Sequence, residues 1–162
     1  MASRSQQGRA RSVDARPFLF RSRGGLCLDP SRSREITRFV RDTLGCQCPD
    51  DVFASISLDR ELAPDGATPI SRLLIGDRLL IYILQARSAG ATADALAALA
   101  KQGQAECDAQ GYNRFRLVIA SPDVEAQSAA ARPMFENAIG QDDRAHLHVV
   151  SGDEIPISIR TP

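Results

Sequence analysis

Two pairs of side chains in this sequence have the types and spacing to do chemistry: Cys46-Gln47-Cys48 and His146-Leu147-His148. Thiols one residue apart can close a strained disulfide, hold a soft metal, or simply pack as small apolar groups. Imidazoles two apart on a strand project to one face, with Leu147 and Val149 on the other. Together the pairs supply four ligands of the kind that tetrahedral zinc takes, or another soft or borderline metal. Cys46, Cys48, His146 and His148 are therefore the candidate metal set. The set requires the cysteine turn and the histidine strand to meet in space. Its spacing is not that of paired Cys-x-x-Cys zinc motifs, and two imidazoles on the solvent face of an edge strand account for the histidines equally well.

Nucleophilic chemistry would fall to Cys48. Pro49 suits the first position of a helical turn, which makes Cys48 the cap and places its sulfur near free backbone N–H groups. Asp50 and Asp51 oppose a thiolate there. A dyad of Cys48 with His146 or His148 is the corresponding catalytic arrangement. Cys107 falls on an apolar helical stripe and reads as structural, and Cys27 lies beside an arginine-rich tail. The segment Ser121-Pro122-Asp123 opens a helix after a strand, at the end of the sheet where α/β proteins bind ligands, but Asp123 and Glu125 repel a phosphate. Gly24-Gly25 and Gly90 are too isolated for a nucleotide loop, and no Gly-x-Ser-x-Gly elbow or His-Glu-x-x-His helix occurs. The lack of a catalytic signature favours an accessory protein over an enzyme.

The elements that must position these residues follow from periodicity. Ile36, Phe39, Val40, Thr43 and Leu44 form one helical face, capped by Asp29, Ser31 or Ser33 and stopped at Gly45. A short helix over Val52 and Phe53 follows, then a half-buried strand around Ile56 and Leu58. Asp65-Gly66 marks a turn. Leu73–Ile75, a Gly76-Asp77 turn and Leu79–Leu84 predict a hairpin whose second arm, apolar on both faces, is a central strand. A helix over Thr92–Gln110 carries the stripe Leu96, Leu99, Ala100, Gly103 and Cys107. Phe115–Ala120 is a strand. The helix from Ser121 to Ile139 should kink or split at Pro133. His146–Val150 is the last strand. The order from Leu79 is strand, helix, strand, helix, strand, which implies parallel neighbours with right-handed crossovers. The fold class is α/β: a single domain with a mixed four- to five-stranded sheet around a parallel βαβαβ core.

The 162 residues suffice for one independent core, and the 5% aromatic content makes that core aliphatic. The formal net charge of zero gives no global pull toward nucleic acid or membrane. It conceals an asymmetry, because ten arginines stand against three acids in residues 1–41. Residues 1–28 read as a flexible basic tail and 29–162 as the domain. Residues 1–23 could serve as a nucleic-acid arm, a transit peptide or an extension with no role in the fold. The longest apolar run, Leu79–Leu84, is too short to span a bilayer, and no secretory signal is visible. A cytoplasmic location follows as the expectation, with the four cysteines reduced.

The run from Ile36 to Phe53 resembles a segment of small uncharacterised prokaryotic proteins in which a helix ends in Leu-Gly-Cys-x-Cys-Pro. Arg78-Leu79-Leu80-Ile81-Tyr82 belongs to the same pattern. The resemblance covers about a quarter of the chain, carries no activity, and implies only that the motif is a unit. Four functions follow as expectations. The first is a small accessory protein with a metal- or redox-active Cys46/Cys48 turn. The second is a protein-interaction or subunit module, paired with another protein or with itself, whose cysteines only pack. The third is a thiol oxidoreductase with Cys48 as nucleophile. The fourth is a nucleic-acid-associated protein using its tail.

Overall fold

The computed structural model describes residues 28–87 and 93–161. Five strands form one mixed sheet in sequence order: β1 (Ile56–Leu62), β2 (Pro69–Ile75), β3 (Leu79–Gln85), β4 (Arg114–Ser121) and β5 (Ala145–Ser151). The pairs β1–β2 and β2–β3 are antiparallel, while β3–β4 and β4–β5 are parallel. This is the α/β sheet with a βαβαβ core that the strand and helix order implies. β3 lies at the centre and is buried along both faces, as its unbroken apolar run requires.

Helices α2 (Ala93–Gln110) and α3 (Val124–Ile139) carry the two parallel crossovers and pack on one side of the sheet, the back. Leu96, Leu99, Ala100 and Cys107 of α2 meet Leu80, Tyr82, Leu84, Phe115 and Leu117 there. Gly103 lies against the Phe115 ring, and a Cβ at that position would come within 2.2 Å of its nearest ring carbon. The front is covered by the first helix and by the C-terminal turns. Ile36, Phe39, Val40 and Leu44 pack on Leu73, Ile75, Leu79 and Ile81, with Ile155 and Ile159 beside them. The C-terminal segment is tied down by Ser71 Oγ, which donates to the Ile159 carbonyl at 2.6 Å, and by Arg60, which donates to the Arg160 carbonyl.

Local signals are met with three adjustments. Asp29 caps α1 (Pro30–Arg38) by accepting from the Ser31 N–H at 3.1 Å. Leu28, which composition assigns to the tail, packs against the front core. The rest of the arginine-rich segment, Cys27 included, lies outside the described residues, as do Gly24, Gly25 and Gly90. The second adjustment is at α3, where Asp123 rather than Ser121 is the cap, accepting from the Ala126 N–H at 3.0 Å. The third is Pro133, which neither splits nor ends α3. Pro133 and Ala129 are both exposed, so the carbonyl that loses its helical partner faces water and the cost of the proline is reduced. The Gly76-Asp77 turn has φ of +57° and +50°, the positive values that a tight hairpin needs.

Candidate functional site

The cysteine turn begins where α1 ends. The helix widens to a π turn over Phe39–Thr43, in which the Leu44 N–H bonds the Phe39 carbonyl at 3.2 Å. Gly45 then adopts φ +64°, which suits a residue without a Cβ. The Cys46 N–H bonds the Val40 carbonyl at 3.1 Å and seats Cys46 in the front core, while Cys48 is only half-buried.

Cys46 and Cys48 are joined as a disulfide, with Cα atoms 5.5 Å apart. The expectation of reduced thiols therefore does not hold for this pair, because the turn over residues 46–48 holds the two Cα atoms close enough for the sulfurs to bond. Cys48 is not a helix cap either. Pro49 occupies that position, one residue later than the sequence suggests, and the following 3-10 helix spans only Asp50–Ala54.

Charges around the turn are arranged unequally. Arg41 donates to the Cys48 carbonyl at 3.2 Å, pairs with Asp50 and lies 4.7 Å over the Phe53 ring. Asp50 is thus matched to a cation rather than left to oppose a thiolate. Beyond the disulfide a cavity of about 380 Å³ opens, walled by Arg78 and Arg114 together with Leu79 and Asn113. These arginines stand at the amino-terminal ends of β3 and β4, so strand pairing brings them together from distant parts of the sequence.

His146 and His148 lie on β5, the edge of the sheet, and share the front face with Arg116 and Val118 of β4. His146 is exposed. His148 is half-buried, with an enclosed Nε2 that has no hydrogen-bond partner among the described residues. Burial pushes the His148 imidazole down to about 4, aided by the charges of Arg116 and His146. Burial likewise lowers His146, where Arg116 and Arg114 act in the same direction and Asp143 partly offsets them. No group of three or more His, Cys, Asp or Glu is placed to hold a metal ion among the described residues. The structure does not gather Cys46, Cys48, His146 and His148 into one cluster, and the bonded cysteines offer no thiolate. No protein-family model matches this chain, and no curated protein matches it either.

Cys107 is buried on the α2 stripe, as its periodicity implies, and burial pushes its thiol up to about 11. It is therefore a poor nucleophile. Asp142 is engaged structurally, holding Arg144 and Gln104, and the Arg144 guanidinium keeps its carboxyl well below the ordinary range. The Asp123 carboxylate occupies the α3 N-terminus itself.

Two groups of buried charge escape the motif-based reading. On the back face, Asp59, Arg72 and Tyr82 are cross-strand neighbours, and Glu106 reaches down to them from α2. Arg72 Nε donates to Glu106 Oε1 at 3.0 Å, Tyr82 donates to Glu106 Oε2, and Asp59 accepts from Arg72 at 3.3 Å. On the front face Arg116 is buried, unpaired among the described residues, and flanked by Ile81 and His146. The sequence signal for both is a charged residue interrupting an apolar run: Arg72 before Leu73-Leu74, and Arg116 between Phe115 and Leu117.

Among the described residues no helix is long and apolar enough to cross a membrane.

Proposed function

We propose that this chain is a small thiol–disulfide exchange protein, with the Cys46/Cys48 pair as its working group and a protein dithiol as its partner. The observation that carries the reading is the placement of the pair on the wall of a cavity shared with Arg78 and Arg114.

The two sulfurs are unequally accessible. An incoming partner thiolate attacks Sγ of the half-buried Cys48. The Cys46–Cys48 bond breaks, and buried Cys46 leaves as the thiolate with the electron pair. The partner's second thiolate then attacks the partner sulfur of the mixed disulfide and releases Cys48. The partner ends oxidised by two electrons and this chain reduced, with protons from solvent completing the thiols. Nearby arginines favour the thiolates that these steps release.

The ring closed by one intervening residue also argues against a purely mechanical role. Cross-linking so short a loop restricts the unfolded chain by only about 1.5 kcal/mol. The packing of Cys46 among Leu44 and Val52 favours a second reading, an interaction module whose cysteines only fill space.

Equilibration in glutathione buffers of graded potential, followed by alkylation and intact-mass measurement, separates the two. The exchange reading expects a reversible two-electron transition with the fold intact, and a reduced Cys48 that alkylates much faster than Cys107. A reduced chain that unfolds, or thiols as inert as Cys107, would leave the packing reading in place.

A further inference from the structure

We infer that Arg116, His146 and His148 form a binding site for a small phosphate-bearing anion on the front face of the sheet at the β5 edge. The inference is independent of the thiol chemistry and begins from an unbalanced charge. Arg116 is 7% exposed, its Nε is enclosed without a hydrogen-bond partner, and among the described residues no side chain pairs with its guanidinium. An enclosed cation without a counter-charge costs several kcal/mol, and buried donors in folded proteins are nearly always satisfied.

The surroundings add one further cation, Arg114, and two imidazoles that burial holds neutral, and none of these relieves the charge. Arg114 lies two residues away on the same face of β4, and its charge acts on Arg116. His146 is the cross-strand partner of Arg116, and His148 is the next residue on that face of β5. His148 Nε2 is itself enclosed and unpartnered. Among the described residues the one carboxylate acting on this group is Asp143, which bears on the exposed His146 and not on Arg116 or His148. Ile81 and Val118 supply the apolar surround. Two unpartnered polar nitrogens on adjacent strands thus share one face, and among the described residues no acid satisfies them.

The donor set selects the ligand. A guanidinium presents a planar fork that fits a carboxylate or a phosphate. A carboxylate has two oxygens, which the fork alone would occupy. Two further imidazoles suit a tetrahedral group with three free oxygens, so phosphate or a phosphomonoester fits better. The enclosure of Arg116 favours a small ligand over a nucleic-acid backbone, which is held by exposed cations along a groove.

The test is calorimetric titration of the full chain, at low ionic strength, with inorganic phosphate, glycerol phosphate, acetate and a short single-stranded oligonucleotide in separate arms. The expected result is a dissociation constant at or below about 1 mM for phosphate and glycerol phosphate. Acetate should bind at least about tenfold more weakly. Arg116→Met should abolish phosphate binding and His148→Phe should weaken it about tenfold, while Cys48→Ser leaves it unchanged. Circular dichroism checks the fold of each variant, and His148→Phe carries the test if Arg116→Met does not fold. Four outcomes overturn the proposal: no phosphate binding, binding that survives both substitutions, equal binding of acetate, or binding of the oligonucleotide alone.

Discussion

Arg72 and Arg116 are both 7% exposed, both project from interior positions of β-strands, and both lie within apolar stretches of sequence. Their surroundings differ completely. Arg72 sits between Asp59 and Tyr82 on the back face, with Glu106 of α2 accepting from its Nε and bridging to the Tyr82 hydroxyl. Burial pulls the Arg72 guanidinium down, but Glu106 more than offsets it and the net shift is upward. Burial also raises the Tyr82 hydroxyl, and its bond to Glu106 adds to the effect. Arg116 sits between Ile81 and His146 on the front face, with burial and Arg114 both lowering it. The same residue type at the same depth thus has two meanings. The back-face group closes on itself and specifies how α2 docks. The front-face group is left open, which marks it for a ligand.

Identical substitutions should separate the two. Arg72→Met leaves Glu106 buried without its cation, and breaking a buried pair in this way costs about 3–5 kcal/mol. Urea unfolding should report that loss as a lower midpoint at an unchanged slope. A variant as stable as the parent would remove the back-face network from the architecture.

A second route reaches the same network through packing. Gly103 lets α2 approach the Phe115 ring, which itself meets Tyr82 edge-on with centroids 5.3 Å apart. Gly103→Ala forces the helix off the sheet and draws Glu106 away from Tyr82. The expected loss is about 2–3 kcal/mol, toward the upper end for overpacked cores, because an aromatic ring cannot yield as a flexible chain end can. Thermal unfolding checks the magnitude. Combining Gly103→Ala with Arg72→Met should cost less than the sum of the two, since both act on Glu106.

These residues also show how far the sequence can be read. The sheet was legible because burial on both faces leaves Leu79–Leu84 unbroken, and because two helical stripes separate three strands. The hairpin was legible from Gly76-Asp77. Glu106 was harder to read: it falls three residues after Gly103 on the buried side of α2, but its partners come from β2 and β3, which no local pattern names. Arg116 poses the same difficulty with the opposite result, because periodicity says that it points inward without saying what it meets. The cysteine and histidine pairs were visible as chemistry, yet their spacing does not encode where a turn and an edge strand end up. Pro133 does not split α3, because its cost depends on which side of the helix faces water.

Acidity should distinguish the two faces next. The His148 imidazole titrates near 4 in the fold and near 6.5 when unfolded. The unfolded chain therefore binds more protons between those values, so the stability contribution is complete above 6.5 and falls as pH drops toward 4. Solvent screening of a partly exposed ring limits the effect to about 1–2 kcal/mol. His148→Phe should flatten the stability profile over that window, as followed by urea unfolding at several pH values. A profile unchanged by the substitution would show that His148 is already paired or solvated. Phosphate should shift the parent curve more than the variant curve at the same concentration.

The smallest effect is the most discriminating. Arg116→Met removes a buried cation that no described residue pairs with and replaces it with a flexible apolar chain of similar reach. Apolar replacement of buried charge is often neutral or stabilising. The ligand-free variant should therefore match the parent or exceed it by about 1 kcal/mol, in contrast to the large loss at Arg72. Saturating phosphate should reverse the order, because it stabilises only a chain that binds it. Thermal melts of both proteins, with and without phosphate, test the crossing directly. A ligand-free Arg116→Met protein destabilised as severely as Arg72→Met would mean that Arg116 supports the fold as Arg72 does, and the contrast between the two faces would be lost.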